Sequence, residues 1–131
     1  MKISIITATY NSASVINDCL DSVKSQKYDD IEHIVIDGAS TDETLLLLQS
    51  RREQLSAFIS EPDKGIYDAM NKGIRLATGE IIGFLNSDDF YATNEVLLKV
   101  ANIFKNDPSL DSCYADLIYT KRLDTSKIVR F

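Results

Sequence analysis

Two adjacent carboxylates, Asp88 and Asp89, are the residues in this chain best suited to chemistry. They follow the apolar run 80–85 directly, in the segment Asn86-Ser87-Asp88-Asp89. Neighbouring carboxylates repel each other, so a cation or several hydrogen-bond donors must compensate them. Carboxylate oxygens are hard ligands that suit Mg²⁺ or Mn²⁺, and such ions commonly take substrate phosphates as further ligands. The alternative is that one of the two aspartates caps the helix that follows.

A third carboxylate, Asp37, ends the apolar run 31–36 and precedes the small residues Gly38 and Ala39. It could accept a hydrogen bond from a nucleobase or a ribose, as an acidic residue does in dinucleotide-binding sheets. It could equally form a turn with Gly38. Ser40 and Glu43 have the spacing of a capping box, so residues 40–42 favour the start of a helix over ligand binding.

Two lysines, Lys64 and Lys72, lie in a polar stretch, 63–73, that follows another apolar run. Either could bind a diphosphate, although a solvated loop and an exposed helix face explain them as well. The one histidine, His33, has no second His or Cys at metal-site spacing and is interpreted as an ordinary strand residue. The phosphate-binding and nucleophile motifs G-x-G-x-x-G, G-x-x-x-x-G-K-[ST] and G-x-S-x-G are absent from the sequence, which argues against dinucleotide redox chemistry, P-loop hydrolysis and Ser-His-Asp hydrolysis.

These residues lie in a regular alternation of short apolar runs and amphipathic segments. The sequence predicts strands at 3–6, 31–36, 55–60, 80–85, 110–120 and 127–131. It predicts helices at 14–26, 40–54, 66–77 and 93–105, with a left-handed cap at Gly79 after the third. This pattern is typical of an α/β protein with three layers, α/β/α, in which helices cover both faces of a mostly parallel, Rossmann-like sheet. Ligands bind such sheets beyond the carboxyl ends of the strands. We therefore expect the polar clusters 9–12, 37–42, 61–65 and 86–89 to meet at one edge.

Composition limits the classes of function. The 131 residues fit a single domain, 1–131, and the net charge of −6 argues against a nucleic-acid partner. Two cysteines do not make a disulfide framework, and no apolar run has the length of a signal peptide or a membrane span. A cytoplasmic protein is expected. The basic segment 121–131 could contact anionic lipid at the inner face of a membrane, or be simply solvated.

Three segments resemble one known family: 5–11 (IITATYN), 35–42 (VIDGASTD) and 77–89 (ATGEIIGFLNSDD). In order and spacing they are similar to family 2 glycosyltransferases of the GT-A fold, and the resemblance covers roughly residues 2–105. The segment 60–73 is similar to the bacterial members that build surface polysaccharides. The resemblance implies an inverting transfer of a sugar from a nucleotide diphosphate donor, a UDP- or GDP-sugar, to a hydroxyl of a saccharide or lipid-linked acceptor.

The resemblance also implies roles for individual residues. The nucleoside pocket would be lined by Ala8, Thr9 and Tyr10, with Asp37 hydrogen-bonded to the base. Asp88 would approach the ribose or the donor sugar, and Asp89 would hold the Mg²⁺ or Mn²⁺ that bridges the diphosphate. A bound cation would stabilise the negative charge that the leaving diphosphate gains.

Two departures from the family pattern matter. Many relatives have an arginine where this chain has Met70, so Lys64 or Lys72 would have to supply the positive charge. A lysine ammonium is a point charge and does not form the bidentate contacts of an arginine guanidinium. The family's catalytic carboxylate lies well downstream of the Asp pair, and none of Asp111, Asp116 and Asp124 stands in a matching motif. We therefore expect the general base to be absent and the chain to be the N-terminal part of a longer enzyme.

The missing base keeps a second function open, a non-catalytic module that binds a nucleotide sugar or a metal and works through a partner. A phosphoacceptor domain is a weaker third choice, because its acid pair would follow the first strand. If the chain ends within a domain, the uncovered edge of its sheet also favours a homodimer.

Overall fold

The computed structural model describes residues 1–130 and contains one main sheet and one hairpin. The main sheet is formed by β1 (Ile3–Thr9), β2 (Ile31–Asp37), β3 (Ala57–Ser60) and β4 (Ile81–Phe84). The helices are α1 (Ile16–Lys24), α2 (Thr44–Ser50), α3 (Ile66–Leu76) and α4 (Val96–Asn106), with a short 3₁₀ turn at Arg52–Gln54. The hairpin is formed by β5 (Tyr119–Lys121) and β6 (Asp124–Arg130). Phe131, the last residue of the predicted strand 127–131, lies outside the described residues.

The strands of the main sheet are all parallel and lie in the order β3-β2-β1-β4. Strand β1 is central, and Thr9 at its end is opposite Asp37 at the end of β2. Every residue of β1 is buried. In a strand that is covered on both faces, each side chain must be apolar or have its hydrogen bonds satisfied within the protein. This explains why the sequence shows continuous apolar runs here rather than an alternation of apolar and polar residues.

Helices cover both faces of this sheet. On one face, Ile3 and Ile5 pack with Cys19 of α1 and Leu97 of α4. Farther along the same face, Val35 packs with residues of α1 and with Leu48 of α2. On the other face, residues of β1 and β2 pack against Ala69 of α3. The predicted three-layer α/β/α class is confirmed.

The predicted capping box at the start of α2 is wrong, because Ser40 has a stronger partner. Its hydroxyl donates to the carboxylate of Asp37 instead of capping the helix, and a hydrogen bond to a charged acceptor is the stronger of the two. The helix begins at Thr44, whose backbone N–H donates to Asp42 Oδ1 at 2.9 Å. Residues 52–54, predicted as the end of this helix, form the 3₁₀ turn instead.

Gly79 was expected to adopt a left-handed cap conformation, and it does not: among residues 1–130, Gly65 is the one glycine with positive φ. Its role is close packing. A Cβ at this position would lie 2.5 Å from Ser4 Oγ and 2.8 Å from the carbonyl oxygen of Lys2. The glycine therefore allows the chain entering β4 to approach the start of β1, where the backbone N–H of Gly79 donates to Ser4 Oγ at 2.8 Å.

The predicted strand at 110–120 is wrong for most of its length. Only Tyr119 and Thr120 of this range lie in a strand, as part of β5. Residues 111–118 are exposed and irregular, and no strand among residues 1–130 pairs with them to satisfy their backbone hydrogen bonds. An apolar run forms a strand only where a neighbouring strand pairs with it, and sequence alone does not reveal the neighbour.

Candidate functional site

The four polar clusters after the strands do meet at the carboxyl edge of the sheet, as the topology predicts. Direct hydrogen bonds join them, including one at 3.0 Å from the backbone N–H of Glu61 to the carbonyl oxygen of Asp37. The backbone N–H of Asn11 donates to Ser40 Oγ at 2.9 Å, and Ser40 also bonds to Asp37. The hydroxyls of Ser12 and Ser87 are 2.9 Å apart, which connects the end of β1 to the end of β4. The edge is therefore one continuous polar surface.

Asp37 anchors this surface through hydrogen bonds to its own protein. The residue is fully buried. Its Oδ2 accepts from the backbone N–H of Ser40 at 2.9 Å and from Ser60 Oγ at 2.7 Å, and its Oδ1 accepts from Ser40 Oγ. These bonds give Asp37 a structural role in the turn 37–40, with Ser40 rather than Gly38 as its partner there. A hydrogen bond to a nucleobase would need one of its remaining lone pairs and a small opening of the surface.

The loop between β3 and α3 is held in place by Lys72. Its ammonium is 2.9 Å from Glu61 Oε1 and 3.7 Å from Asp68 Oδ2, and it donates to the carbonyl oxygen of Pro62. The hydrogen bond to Glu61 is the main cause that raises the pKa of Lys72. This lysine is already neutralised by two carboxylates, whereas Lys64 is exposed on the same loop and has no ion pair among residues 1–130.

A cavity of about 320 Å³ opens at this loop, beside the ends of β1 and β2. It is lined by Tyr10, Gly38, Pro62, Asp63 and Gly65. The side chain of Tyr10 is 62% exposed, so its ring face is available to a flat ligand.

The other two residues expected in a nucleoside pocket, Ala8 and Thr9, are buried at the end of β1 and do not line this cavity. Successive residues of a strand point to opposite faces. Ala8 packs on the face covered by α3, so the side chain of Thr9 lies on the other face. The hydroxyl of Thr9 is buried and has no hydrogen-bond partner among the described residues. Such a group is rare in a folded protein, and it leaves a donor without a partner close to the site.

Asp88 and Asp89 lie at the end of β4 and are both exposed. The pKa of Asp89 is raised, first by partial burial and then by the charge of Asp88, while a hydrogen bond with Asn86 lowers it. The capping alternative does not hold for α4, which begins at Val96 with Glu95 at its N-cap. Among residues 1–130, no cationic side chain forms an ion pair with either aspartate, so the pair keeps its negative charge there.

An oxygen-ligated divalent cation fits this charge. No group of three or more His, Cys, Asp or Glu side chains that could hold a metal occurs within residues 1–130. A cation bound at Asp89 would therefore need water or ligand oxygens to complete its shell, which is how Mg²⁺ is commonly held. His33 is not part of this site. It is buried in β2 with its Nε2 2.9 Å from Thr7 Oγ1, and burial lowers its pKa to about 4.

Sequence reasoning missed the walls of the cavity. It expected the cluster 61–65 at the edge and singled out the lysines of the 63–73 stretch for their charge, but it gave Pro62, Asp63 and Gly65 no individual role. The signal for them is their position directly after β3, where loop residues of a parallel sheet contact ligands. Gly38 was noted only as a turn residue, yet a Cβ there would lie 2.8 Å from Asp63 Oδ2, so its lack of a side chain is what allows the two loops to meet.

Curated proteins similar to this chain are glycosyltransferases. A PGL/p-HBAD biosynthesis glycosyltransferase from Mycobacterium bovis is 39% identical over 118 residues, which cover 88% of this chain and 46% of that protein. A chondroitin synthase from Escherichia coli is 38% identical over 114 residues, covering 86% of this chain and 16% of the synthase. The chain thus spans less than half the length of these relatives.

Solved structures similar to this chain include transferases as well. The mannosyltransferase PcManGT from Pyrobaculum calidifontis, in complex with GDP-Man and Mn²⁺, has a TM-score of 0.78 and 29% identity, covering 88% of this chain and 36% of that one. S. aureus TarS 1-349, in complex with UDP-GlcNAc, has a TM-score of 0.77 and 27% identity, covering 89% of this chain and 37% of that one. The family model for glycosyl transferase family 2 matches residues 4–126. With the fold and the polar edge of the sheet, these matches establish that the chain belongs to glycosyltransferase family 2, with a GT-A fold.

Proposed function

We propose that this chain binds the donor of an inverting glycosyltransferase, which transfers a sugar from a nucleotide diphosphate sugar to an acceptor hydroxyl in polysaccharide or glycoconjugate biosynthesis. The observation that carries the proposal is the joined carboxyl edge of the sheet, where the Tyr10 cavity and the Asp88–Asp89 pair lie on one surface. The solved relatives bind UDP-GlcNAc and GDP-Man, so a UDP- or GDP-sugar is the donor class.

Each part of the donor has a candidate partner. The base stacks on Tyr10 in the cavity. Asp37 holds the turn that carries the lining residue Gly38, and one of its remaining lone pairs accepts a hydrogen bond from the base. Ala8 and Thr9 support the ribose from the end of β1, and the unpartnered hydroxyl of Thr9 supports this role. Lys64 contacts the diphosphate. Lys72 acts with it by fixing the loop, since its own charge is held by Glu61 and Asp68.

Asp89 binds Mg²⁺ or Mn²⁺, and Asp88 contacts the ribose or the donor sugar. When bound, the cation stabilises the negative charge on the leaving diphosphate. The role of the chain itself is to hold the donor in one orientation, which removes much of the entropic cost of reaction. That PcManGT was solved with Mn²⁺ supports the choice of metal.

A non-catalytic donor-binding module is the second candidate. It is favoured by one observation: within the described residues, Asp111 and Asp116 are exposed, and Asp124 is engaged locally with Ser126 and Lys127. The hydrogen bond from Ser126 lowers the pKa of Asp124, which makes this carboxylate a weaker base. Slow donor hydrolysis or sugar transfer by the chain would favour the enzyme, and binding without turnover would favour the module.

Calorimetric titration with UDP and GDP, each with and without Mn²⁺, tests the proposal. We expect metal-dependent binding of at least one nucleotide, with loss of the metal dependence in Asp89→Ala. Asp18→Asn, which changes an exposed carboxylate on α1, is the matched control for charge and should bind as the wild-type chain does. If neither nucleotide binds under any condition, the donor-site proposal is rejected.

Three further predictions concern partners and location. Ile82 and Phe84 are exposed on β4, one of the two outer strands of the main sheet, so we propose a homodimer through this edge, and analytical ultracentrifugation tests it. We also propose a cytoplasmic protein whose basic segment 121–131 touches anionic lipid, which vesicle co-sedimentation tests. Within residues 1–130, no helix is long and apolar enough to span a bilayer.

A further inference from the structure

The cavity beside Tyr10 has one charged wall, Asp63. Asp63 Oδ1 accepts a hydrogen bond from the backbone N–H of Gly65 at 3.0 Å, which fixes the plane of the carboxylate. Its Oδ2 has no hydrogen-bond donor among residues 1–130 and lies next to Gly38, as close as 2.8 Å to where a Cβ would be. The cavity therefore contains an oriented carboxylate with an unused acceptor oxygen.

Among residues 1–130, no other carboxylate lines the cavity. Asp37 lies nearby, but three protein donors already engage its two oxygens. A ligand in this cavity thus meets a strong hydrogen-bond acceptor on one side and an aromatic face on another. It meets no charged donor there.

Nucleobases differ in what they offer a carboxylate. Guanine presents two adjacent donors, the ring N1–H and the 2-amino group, and these match the two oxygens of a carboxylate. Uracil presents one ring N–H between two carbonyl oxygens, which a carboxylate repels. Cytosine and adenine each place an amino donor beside a ring nitrogen that is an acceptor.

We propose that Asp63 selects guanine, so that the donor of this chain is a GDP-sugar. The inference rests on the proposed donor-binding function and narrows it. The solved relatives support the view that side chains, rather than the backbone fold, select the nucleobase. One relative is bound to GDP-Man and the other to UDP-GlcNAc, and their TM-scores to this chain are almost equal. The fold accepts either base, and the residues that line the cavity decide between them.

The test compares GDP, inosine diphosphate and UDP by calorimetry in the presence of Mn²⁺. Inosine diphosphate keeps the ring N–H and lacks only the 2-amino group. The wild-type chain should bind GDP about tenfold more tightly than inosine diphosphate, because a hydrogen bond to a charged acceptor is lost. In Asp63→Asn the two affinities should come within about twofold of each other. The asparagine oxygen can still accept from Gly65, so the loop is retained, and Asp18→Asn controls for the change in charge.

Each other result has a distinct meaning. If the wild-type chain binds GDP and inosine diphosphate equally, or prefers UDP, the guanine assignment is wrong and the donor-binding function stands. If Asp63→Asn weakens all three nucleotides by the same factor, Asp63 supports the loop and does not select the base, which also overturns the assignment. If no nucleotide binds the wild-type chain, the proposed function itself fails, and this inference fails with it.

Discussion

The two strands that flank β1 end in carboxylates that the protein treats differently. At the end of β2, Asp37 is fully buried, and three hydrogen bonds from Ser40 and Ser60 satisfy it. At the end of β4, Asp89 is exposed beside Asp88, and partial burial and that neighbouring charge raise its pKa. We call these the Asp37 corner (residues 37–42 with Ser60) and the Asp89 corner (residues 86–89).

The contrast separates a structural carboxylate from one available to a ligand. A buried charge is tolerated only where donors surround it, so the Asp37 corner must be complete before any ligand arrives. The Asp89 corner lacks such compensation, because no cation among residues 1–130 pairs with its two negative charges. Both corners carry the same residue type after the same kind of strand, and their surroundings give them different roles.

The largest expected effect is on folding stability, from Asp37→Ala. The substitution leaves the Ser40 backbone N–H and the Ser40 and Ser60 hydroxyls without their acceptor in a buried position. We expect the free energy of unfolding to fall by about 3 kcal/mol or more. Urea denaturation measures this loss. A loss below about 1 kcal/mol would mean that water replaces the carboxylate and that the corner is more open than its burial indicates.

In contrast to Asp37→Ala, the substitution Asp89→Ala should weaken the binding of metal and nucleotide and leave folding stability intact. We expect metal-dependent nucleotide affinity to fall at least tenfold, that is by about 1.4 kcal/mol, as for other losses at a metal site. A raised pKa means that the ionised side chain opposes folding at neutral pH. Removing it should therefore leave stability unchanged or raise it by at most about 0.5 kcal/mol, because solvent screens an exposed charge. Strong destabilisation would make this corner structural, like the other.

The pH dependence of Mn²⁺ binding should depend on the charge of Asp88, because this charge raises the pKa of Asp89. A metal needs the ionised carboxylate, so affinity for Mn²⁺ falls as the pH drops through the raised pKa of Asp89, by about tenfold per pH unit below it. Asp88→Asn removes one cause of the raised pKa, and its profile should shift to lower pH. The nucleotide's own ionisation is the same in both proteins, so the shift between the two profiles measures Asp89. Coincident profiles would contradict the electrostatic account.

Much of the fold can be predicted from sequence, because buried parallel strands are continuous apolar runs and their order forces the loops to one edge. The four strands of the main sheet begin and end within about three residues of the prediction. The failures depend on which partner the folded chain supplies. Ser40 bonds to the carboxylate of Asp37 instead of capping the helix, Gly79 packs against Ser4, and no strand among residues 1–130 pairs with residues 111–118. Gly79 and Ser4 are distant in sequence, whereas Ser40 and Asp37 are close in sequence and the competition there is between two local hydrogen bonds.

The site shows the same limit. Asp88, Asp89 and Asp37 stand out in the sequence as residue types at strand ends, but nothing local distinguishes a buried carboxylate with three donors from an exposed one with at most a single donor. Asp63 was placed in the polar cluster 61–65 but given no role of its own, because a solvated loop explains that segment as well. Its importance comes from the absence of a side chain at Gly38 and from Tyr10 across the cavity, and only the folded chain brings these together.

The smallest expected effect is a difference between two serines, and it tests the contrast with a single hydroxyl at each corner. Ser60 donates to the charged Asp37, whereas Ser87 bonds to the neutral hydroxyl of Ser12. Hydrogen bonds to charged groups contribute more to stability than neutral ones, so Ser60→Ala should cost about 1.5 kcal/mol and Ser87→Ala about 0.5 kcal/mol. Urea denaturation of both variants measures the difference. Equal losses would mean that the charge of Asp37 adds nothing to its hydrogen bonds, and that the Asp37 corner is held by its shape rather than by its carboxylate.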